Sequence, residues 1–247
     1  GDRRWKDLEA AVRGTPDIDS DTNFADIIIP TVTSERCHYL ASLLLQHDHQ
    51  VLVCGPSGTG KSVYMSQLLR SHLPETFSNS SVNFSATTKA TFVQKQVELQ
   101  LERVRRGVYG PRGGSAQGDR RHVVFLDDFN MPAVEQYGAQ PPLELLRQLM
   151  DKGGWYDTSD NSFKTIRHTA LLAAMAPVGG GRNATSPRTL RHFNVVGIAE
   201  FNDATMRHIF SAIVKAKFYG LNFSTAIKDR CQALVDATMI VYKKAVA

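Results

Sequence analysis

Gly55-Pro56-Ser57-Gly58-Thr59-Gly60-Lys61-Ser62 fills every fixed position of the pattern G-x-x-x-x-G-K-[ST], which is chemistry for gripping a chain of phosphates. Glycines at those positions let the backbone curl until successive N–H groups point at one anion. Lys61 then supplies a point charge for the β- and γ-phosphates, and the Ser62 hydroxyl is placed to ligate Mg²⁺. A second chemical element is Val123-Val124-Phe125-Leu126-Asp127-Asp128, an apolar run ending in two acids. A carboxylate at the end of a buried strand beside a phosphate loop can hold Mg²⁺, directly or through its waters, and Asp127 takes that role. Asp128, the next acid, is placed to orient an attacking water. The third element is the glycine-rich Pro177-Val178-Gly179-Gly180-Gly181-Arg182-Asn183, followed by Arg188 and Arg191 one helical turn apart. Surface solvation is the default for both arginines, and only architecture can promote one of them to a catalytic finger.

These residues need a scaffold. Val51-Leu52-Val53-Cys54 reads as a buried strand feeding the loop, and Val63 to Arg70 has helical spacing, so a helix N-terminus faces the phosphates. Ahead of them, Ile27-Ile28-Ile29-Pro30-Thr31 is an apolar run stopped by proline. Thr33 or Ser34 caps a following helix with apolar positions Tyr39, Leu40, Leu43 and Leu44. Val82-Asn83-Phe84-Ser85 alternates as a short strand. Val93, Val97, Leu101 and Val104 share a helical face, and Glu102 can pair with Arg106 one turn on. Residues 107–121, rich in glycine, are expected to be a loop. Val123–Leu126, Thr169–Met175 and Val195–Ile198 read as strands, and Leu143–Met150 as a helix. Apolar strands alternating with helices predict an α/β fold: a parallel five-stranded sheet between helices, with the ligand at the carboxyl ends of the strands. From Asn202 or Asp203 helix follows helix, first with Met206, Ile209, Phe210 and Ile213 on one face, then from about Thr225 onward, which predicts a helical subdomain that stops before completion.

The bulk properties fit a soluble globular chain: 247 residues, 42% apolar, 21% charged, net charge +5. Arg103, Arg105, Arg106, Arg112, Arg120 and Arg121 form the densest basic group, read as a solvated surface rather than a nucleic-acid stripe. Three cysteines without metal-ligand spacing point to a reducing compartment. No apolar run reaches membrane-spanning length. Gly1 in place of Met predicts a cytoplasmic piece excised from something larger, with Trp5 and Leu8 anchoring a peripheral segment and a polar, turn-rich stretch at 17–23.

Taken together, the blocks resemble the AAA+ ATPases, and among them the third AAA+ module of axonemal dynein heavy chains. The residues that carry the resemblance are Ile28–Thr31, Gly55–Ser62, Asp127-Asp128-Phe129-Asn130-Met131-Pro132, Tyr137–Gln148, Gly153–Asp157, Pro177–Asn183 and Leu190-Arg191-His192-Phe193, in order over roughly residues 24–220. The resemblance implies a P-loop AAA+ fold with a peripheral segment at 1–28, a large nucleotide-binding subdomain at 29–200 and the start of the helical small subdomain at 201–247. It implies ATP or ADP with Mg²⁺ as ligands. Ile29, Pro30 and Thr31 would line the adenine site, and Gly55 through Val63 would hold the phosphates. Arg191 would project into the site of the preceding module, with Arg188 as the fallback. Neighbouring modules of the same heavy chain would be its partners, without nucleic acid or membrane. Microtubules would be reached only through parts absent here, in the cytoskeleton of a cilium or flagellum.

Two departures bear on turnover. Active AAA+ sites usually carry Glu where this chain has Asp128, and a carboxylate one methylene short is misplaced by more than ~1 Å, which can cost on the order of a hundredfold in rate. They also usually carry a polar sensor where this chain has Ala176, which cannot hydrogen-bond a phosphate or a water. The expectation is therefore a regulatory nucleotide site with slow or no hydrolysis. A nucleic-acid-remodelling AAA+ ATPase is the alternative from a different class, and a steep salt dependence of binding would mark it. A P-loop kinase would need lid arginines that are not evident, and a module with permanently bound ADP would hold a trapped, non-exchanging nucleotide.

Overall fold

In the central strands apolar residues run without interruption, so both faces must be covered. A computed structural model describes residues 12, 27–114, 120–157, 160–220 and 223–246; Trp5, Leu8 and the turn-rich stretch lie outside the described residues. The chain divides into two units, residues 37–199 and residues 1–36 with 200–247.

The larger unit holds a five-stranded, all-parallel sheet of β1 (Gln50–Cys54), β2 (Phe77–Asn83), β5 (Arg121–Asp127), β8 (Thr169–Met175) and β9 (Phe193–Gly197), in the spatial order β2-β5-β8-β1-β9. The expected sheet is thus present, with its fifth strand starting two residues earlier than the apolar run indicated. Alternate residues serve its two faces. Leu52, Val124, Leu126, Leu171 and Ala173 join one core with Val93 and Val97 of α3 (Ala90–Glu98) and Leu143, Leu146 and Leu149 of α4 (Pro141–Lys152). Val51, Val53, Val123, Phe125 and Leu172 are buried too. So are Tyr64, Met65, Leu68 and Leu69, from α2 (Lys61–Gln67) and the π-helical turn Leu68–His72 that prolongs it.

Four expectations are corrected. The helix expected to run on through Val104 ends at Glu98. Leu101–Arg105 is β3, paired antiparallel with β4 (Val108–Pro111) across Gly107, whose φ of 72° suits the turn. Residues 107–121 are therefore not all loop, and Glu102 accepts from the Gly113 amide at 3.0 Å instead of pairing with Arg106 along a helix. β3 and β4 join β6 (Gly154–Tyr156) and β7 (Phe163–Ile166) in a second, four-stranded sheet. Its strands are short and mix buried, half-buried and exposed positions, so they leave no apolar run in the sequence. Trp155, fully buried in this sheet, donates to Glu98 Oε1 at 2.9 Å. In α1 (Val32–Gln46) the buried stripe is Cys37, His38, Ala41 and Leu45, while Tyr39, Leu40 and Leu43 are exposed. Small residues let that helix approach closely, and counting only large apolar residues selected the wrong face.

In the other unit Thr31 and Ser34 cap the start of α1 reciprocally: Thr31 N donates to Ser34 Oγ at 2.8 Å and Ser34 N to Thr31 Oγ1 at 3.0 Å. Asn202 caps α6 (Asp203–Gly220) through the Thr205 amide at 2.8 Å. The helical stretch expected from Thr225 is broken into α7 (Thr225–Lys228) and α8 (Cys231–Val246). Helices α6 and α8 are joined by Arg207–Asp236 and Lys243–Asp203 ion pairs and a Phe210–Tyr242 edge contact. Among the described residues no helix is long and apolar enough to cross a membrane.

Burial makes one residue of the sheet a pH sensor for stability. His122 in β5 is enclosed, with Ser78 Oγ at 2.8 Å from Nδ1 and Ser80 Oγ at 2.9 Å from Nε2, and desolvation pulls its imidazole down to about 4. An unfolded histidine takes its proton near 6.5. Between those values the unfolded chain binds a proton that the folded chain refuses, so stability falls as pH falls through that window. We expect the parent chain to lose about 3 kcal/mol from this group between pH 6.5 and 4. His122→Gln should flatten that part of the profile, read by urea unfolding at pH 7 and 4.5; parallel profiles for the two chains would refute it.

Candidate functional site

The sheet register brings the two chemical elements to one edge. β8 lies between β1 and β5, with Cys54 opposite Met175 and Leu126 opposite Ala173. Three successive carbonyls at the end of β8 then fasten the segments that leave its two neighbours. Ala174 O accepts from Phe129 N at 2.9 Å, Met175 O from Gly55 N at 3.3 Å, and Ala176 O from Asn130 Nδ2 at 2.8 Å. The phosphate loop and the acidic turn thus hang from adjacent points of one strand, roughly 10 Å apart at two strand spacings.

Within the loop, the glycines are required. A Cβ on Gly55 would run into the Ile198 carbonyl oxygen, because Ile198 N donates to Cys54 O at 2.8 Å and draws the end of β9 against the loop. Gly58 and Gly60 have φ of 80° and 79°, the left-handed region that side chains resist. Thr59 Oγ1 and Lys61 Nζ both donate to Pro56 O, at 2.9 and 2.6 Å, so the loop is closed on itself with the lysine folded over it. Gly60 is also the N-cap of α2, so the free amides of the first turn open at the loop. Ser57 is exposed, Ser62 half-buried, and Val63 points outward from the first turn.

Charge converges here. Lys61 is buried, and that burial, followed by the nearby Arg182 guanidinium, pulls its ammonium below the ordinary lysine value, while Cys54, Asp127 and Asp128 act in the opposite direction. Asp127 Oδ1 accepts from Asp128 N at 3.0 Å. Asp128 itself sits at φ 51°, a conformation that a short polar side chain tolerates, and its Oδ1 lies 3.4 Å from Arg182 Nη2. Two cations and two carboxylates therefore face the mouth of a loop that offers backbone donors. The donor set suits a phosphate chain, and the Ser62 hydroxyl and the Asp127 carboxylate offer hard oxygen atoms of the kind that Mg²⁺ prefers.

Two residues here carry no role in the sequence reading. Asn130 is buried and holds the Ala176 carbonyl. Arg182 was visible only as the cation of a glycine-rich loop, with nothing to say which way it turns. Asn183, which sequence alone could not place, ties that loop to the acidic turn: its N donates to Asn130 O at 3.0 Å and its Nδ2 to Pro132 O at 2.9 Å. Ala176 is buried at the strand end and offers only its backbone.

The remaining predicted residues stand elsewhere. Arg188 lies within the single turn α5 (Pro187–Leu190) and Arg191 caps its C-terminal end, and both are exposed. Arg191 Nη2 donates to Asp151 Oδ1 at 2.6 Å; this bond, with His192 Nε2 at 2.9 Å from the same oxygen, holds the Asp151 carboxyl below its usual range. Phe193 pairs with Gln50 at the start of β1, whereas the phosphate loop begins after Cys54 at its end. The strand run between them, about 13 Å at 3.3 Å per residue, puts Arg191 at the opposite edge of the sheet. Ile29, Pro30 and Thr31 belong to the other unit, where Pro30 O lies 3.3 Å from His208 Nε2 and Thr31 is the helix cap already described.

Residues 16–201 match the family described as the P-loop containing dynein motor region. The chain is 43% identical over 241 residues to dynein axonemal heavy chain 12 of Rattus norvegicus, covering 97% of this chain and 8% of that protein. It is 40% identical over 250 residues to dynein axonemal heavy chain 1 of Mus musculus, covering 97% and 6%. With dynein axonemal heavy chain 3 of Mus musculus it shares 40% over 230 residues, covering 93% and 6%. The chain thus spans less than a tenth of the length of these relatives.

Because Arg191 stands at the far edge, Arg191→Ala should leave the affinity of this chain for ATP and ADP within twofold of the parent in a calorimetric titration. A tenfold loss would put Arg191 in contact with the chain's own phosphate loop and overturn this placement.

Proposed function

This chain belongs to the dynein motor-region family of P-loop proteins, and from that premise we propose that it is the third AAA+ module of an axonemal dynein motor ring. On this reading it holds the phosphates of ATP or ADP at Gly55–Val63 and hydrolyses slowly or not at all. The observation that carries the reading is the convergence of Lys61, Arg182, Asp127 and Asp128 on a glycine loop hung from the end of β8. Mg²⁺, when bound, would lie on Ser62 and Asp127 and neutralise phosphate charge. Lys61 and the first-turn amides grip the phosphates. Asp128, short and drawn toward Arg182, is poorly set to orient a water, and Ala176 contributes no side-chain donor. Slow turnover suits a site whose occupancy reports to its neighbours rather than driving a stroke of its own.

The partners on this reading are the adjacent modules of the same heavy chain, one of which receives Arg191 at its nucleotide. Microtubules are engaged through parts outside these 247 residues, and the place of action is the cytoskeleton of a ciliary or flagellar axoneme. Asp151, which binds Arg191, sits in the last turn of α4 and would present the arginine along that edge.

Removing the Lys61 ammonium deletes a strong charge-assisted contact. Lys61→Ala should weaken both ATP and ADP at least tenfold, and should abolish most of the thermal stabilisation by nucleotide, which is about 2.7 kcal/mol at a hundredfold excess over Kd. Equal melting shifts for mutant and parent would sink the assignment.

Turnover should lie well below the roughly 10 s⁻¹ of a median enzyme. Asp128→Glu should leave the rate unchanged or raise it, measured as phosphate release at saturating ATP and Mg²⁺. A fast parent, or a Glu variant that is inactive, contradicts the slow-site reading.

A further inference from the structure

The Arg182 side chain is underused where it stands. A guanidinium has five donors in a rigid fork, yet its one ion pair among the described residues is a 3.4 Å contact with Asp128 Oδ1, longer than the 2.7–2.9 Å of a well-made charge-assisted bond. Its Nε is buried and has no hydrogen-bond partner among the described residues. Nor does the side chain hold the loop, because backbone and neighbour do that. Gly179 N donates to Arg182 O at 3.3 Å, Arg182 N to Gly179 O at 3.1 Å, and Asn183 is bonded on both sides to the acidic turn. Gly179, Gly180 and Gly181, with φ of 130°, 58° and 83°, give the tight reversal that points residue 182 inward. A fixed backbone thus delivers a cation toward Lys61 and Asp128, at the strand end where Ala176 has nothing to offer.

We propose that Arg182 reads the terminal phosphate of a nucleoside triphosphate in this chain's own site, exchanging its loose hold on Asp128 for the phosphate oxygens. The proposal deepens the nucleotide-module reading and rests on it. The Arg182 charge disfavours the Lys61 ammonium across the mouth, and a third phosphate, with the charge it adds, is the ligand that relieves this most. A diphosphate, gripped by Lys61 and the loop amides, would leave Arg182 on Asp128. The exchange also frees the Asp128 carboxylate, so the same event that recognises the triphosphate alters the acid that follows the metal ligand. Arg182 is then the residue by which a site with a silent Ala176 still distinguishes ATP from ADP.

The test is the ratio of affinities in the 247-residue chain, by titration with ATP, its non-hydrolysable β,γ-imido analogue and ADP, each with Mg²⁺. Arg182→Ala should weaken the two triphosphates about tenfold or more while ADP stays within twofold. Arg182→Lys, which keeps the charge and loses the fork, should fall between. Equal losses for triphosphate and diphosphate would mean that Arg182 merely shapes the loop, and no loss would mean that it does not reach the ligand; either overturns the proposal. Lys61→Ala separates this outcome from failure of the wider reading, since that variant should lose ATP and ADP alike.

Discussion

The carbonyls of Ala174, Met175 and Ala176, at the end of a strand buried on both faces, hold the phosphate loop and the acidic turn in place. They fasten Phe129, Gly55 and Asn130 in turn. A buried carbonyl left unpaired costs free energy, so these bonds are obligatory rather than decorative. The register of β8 against β1 and β5 thereby sets how far the phosphate loop stands from the acidic turn. Asn130 and Asn183 pass the same constraint on to the glycine-rich loop that carries Arg182. Ala173, Ala174 and Ala176, all buried, keep the side chains small at this crowded strand end.

Charge at this edge is arranged in opposition. Lys61 is buried with its ammonium disfavoured by desolvation and by Arg182, and Asp127 and Asp128 compensate. A strongly anionic ligand aligns with both cations, and a divalent cation with the carboxylates, so phosphates and Mg²⁺ complete each other's partners. The opposite edge of the sheet has a separate network, Arg191 and His192 on Asp151 with Arg147 bridging Asp151 and Glu144. One sheet therefore presents two independent sets of charge, and the strands between them set their separation.

What could be read from residues alone was whatever rested on long apolar runs or on a fixed spacing. Val51–Cys54, Val123–Leu126 and Thr169–Met175 declare themselves because strands buried on both faces admit no polar residue, and the phosphate loop because only glycine meets its backbone demands. The second sheet was invisible since its strands of three to five residues mix buried and exposed positions, and Val93, Val97, Leu101 and Val104 mimic a helical period across a helix end. Helix α1 misled for a related reason: its buried face is Cys37, His38, Ala41 and Leu45, where closeness of approach counts for more than bulk. Arg182 could not be assigned because its direction is decided by three glycines with positive φ and by bonds to Asn130 and Pro132, contacts more than forty residues away in sequence.

Central to this account is a grip on the phosphate chain beyond the first phosphate. Calorimetric titration of the purified chain with AMP, ADP and ATP in the presence of Mg²⁺ tests it most directly. ADP and ATP should each bind at one site, whereas AMP, which lacks the β-phosphate that Lys61 addresses, should bind at least a hundredfold more weakly. Comparable binding of AMP, or no binding of any of the three, would contradict the account.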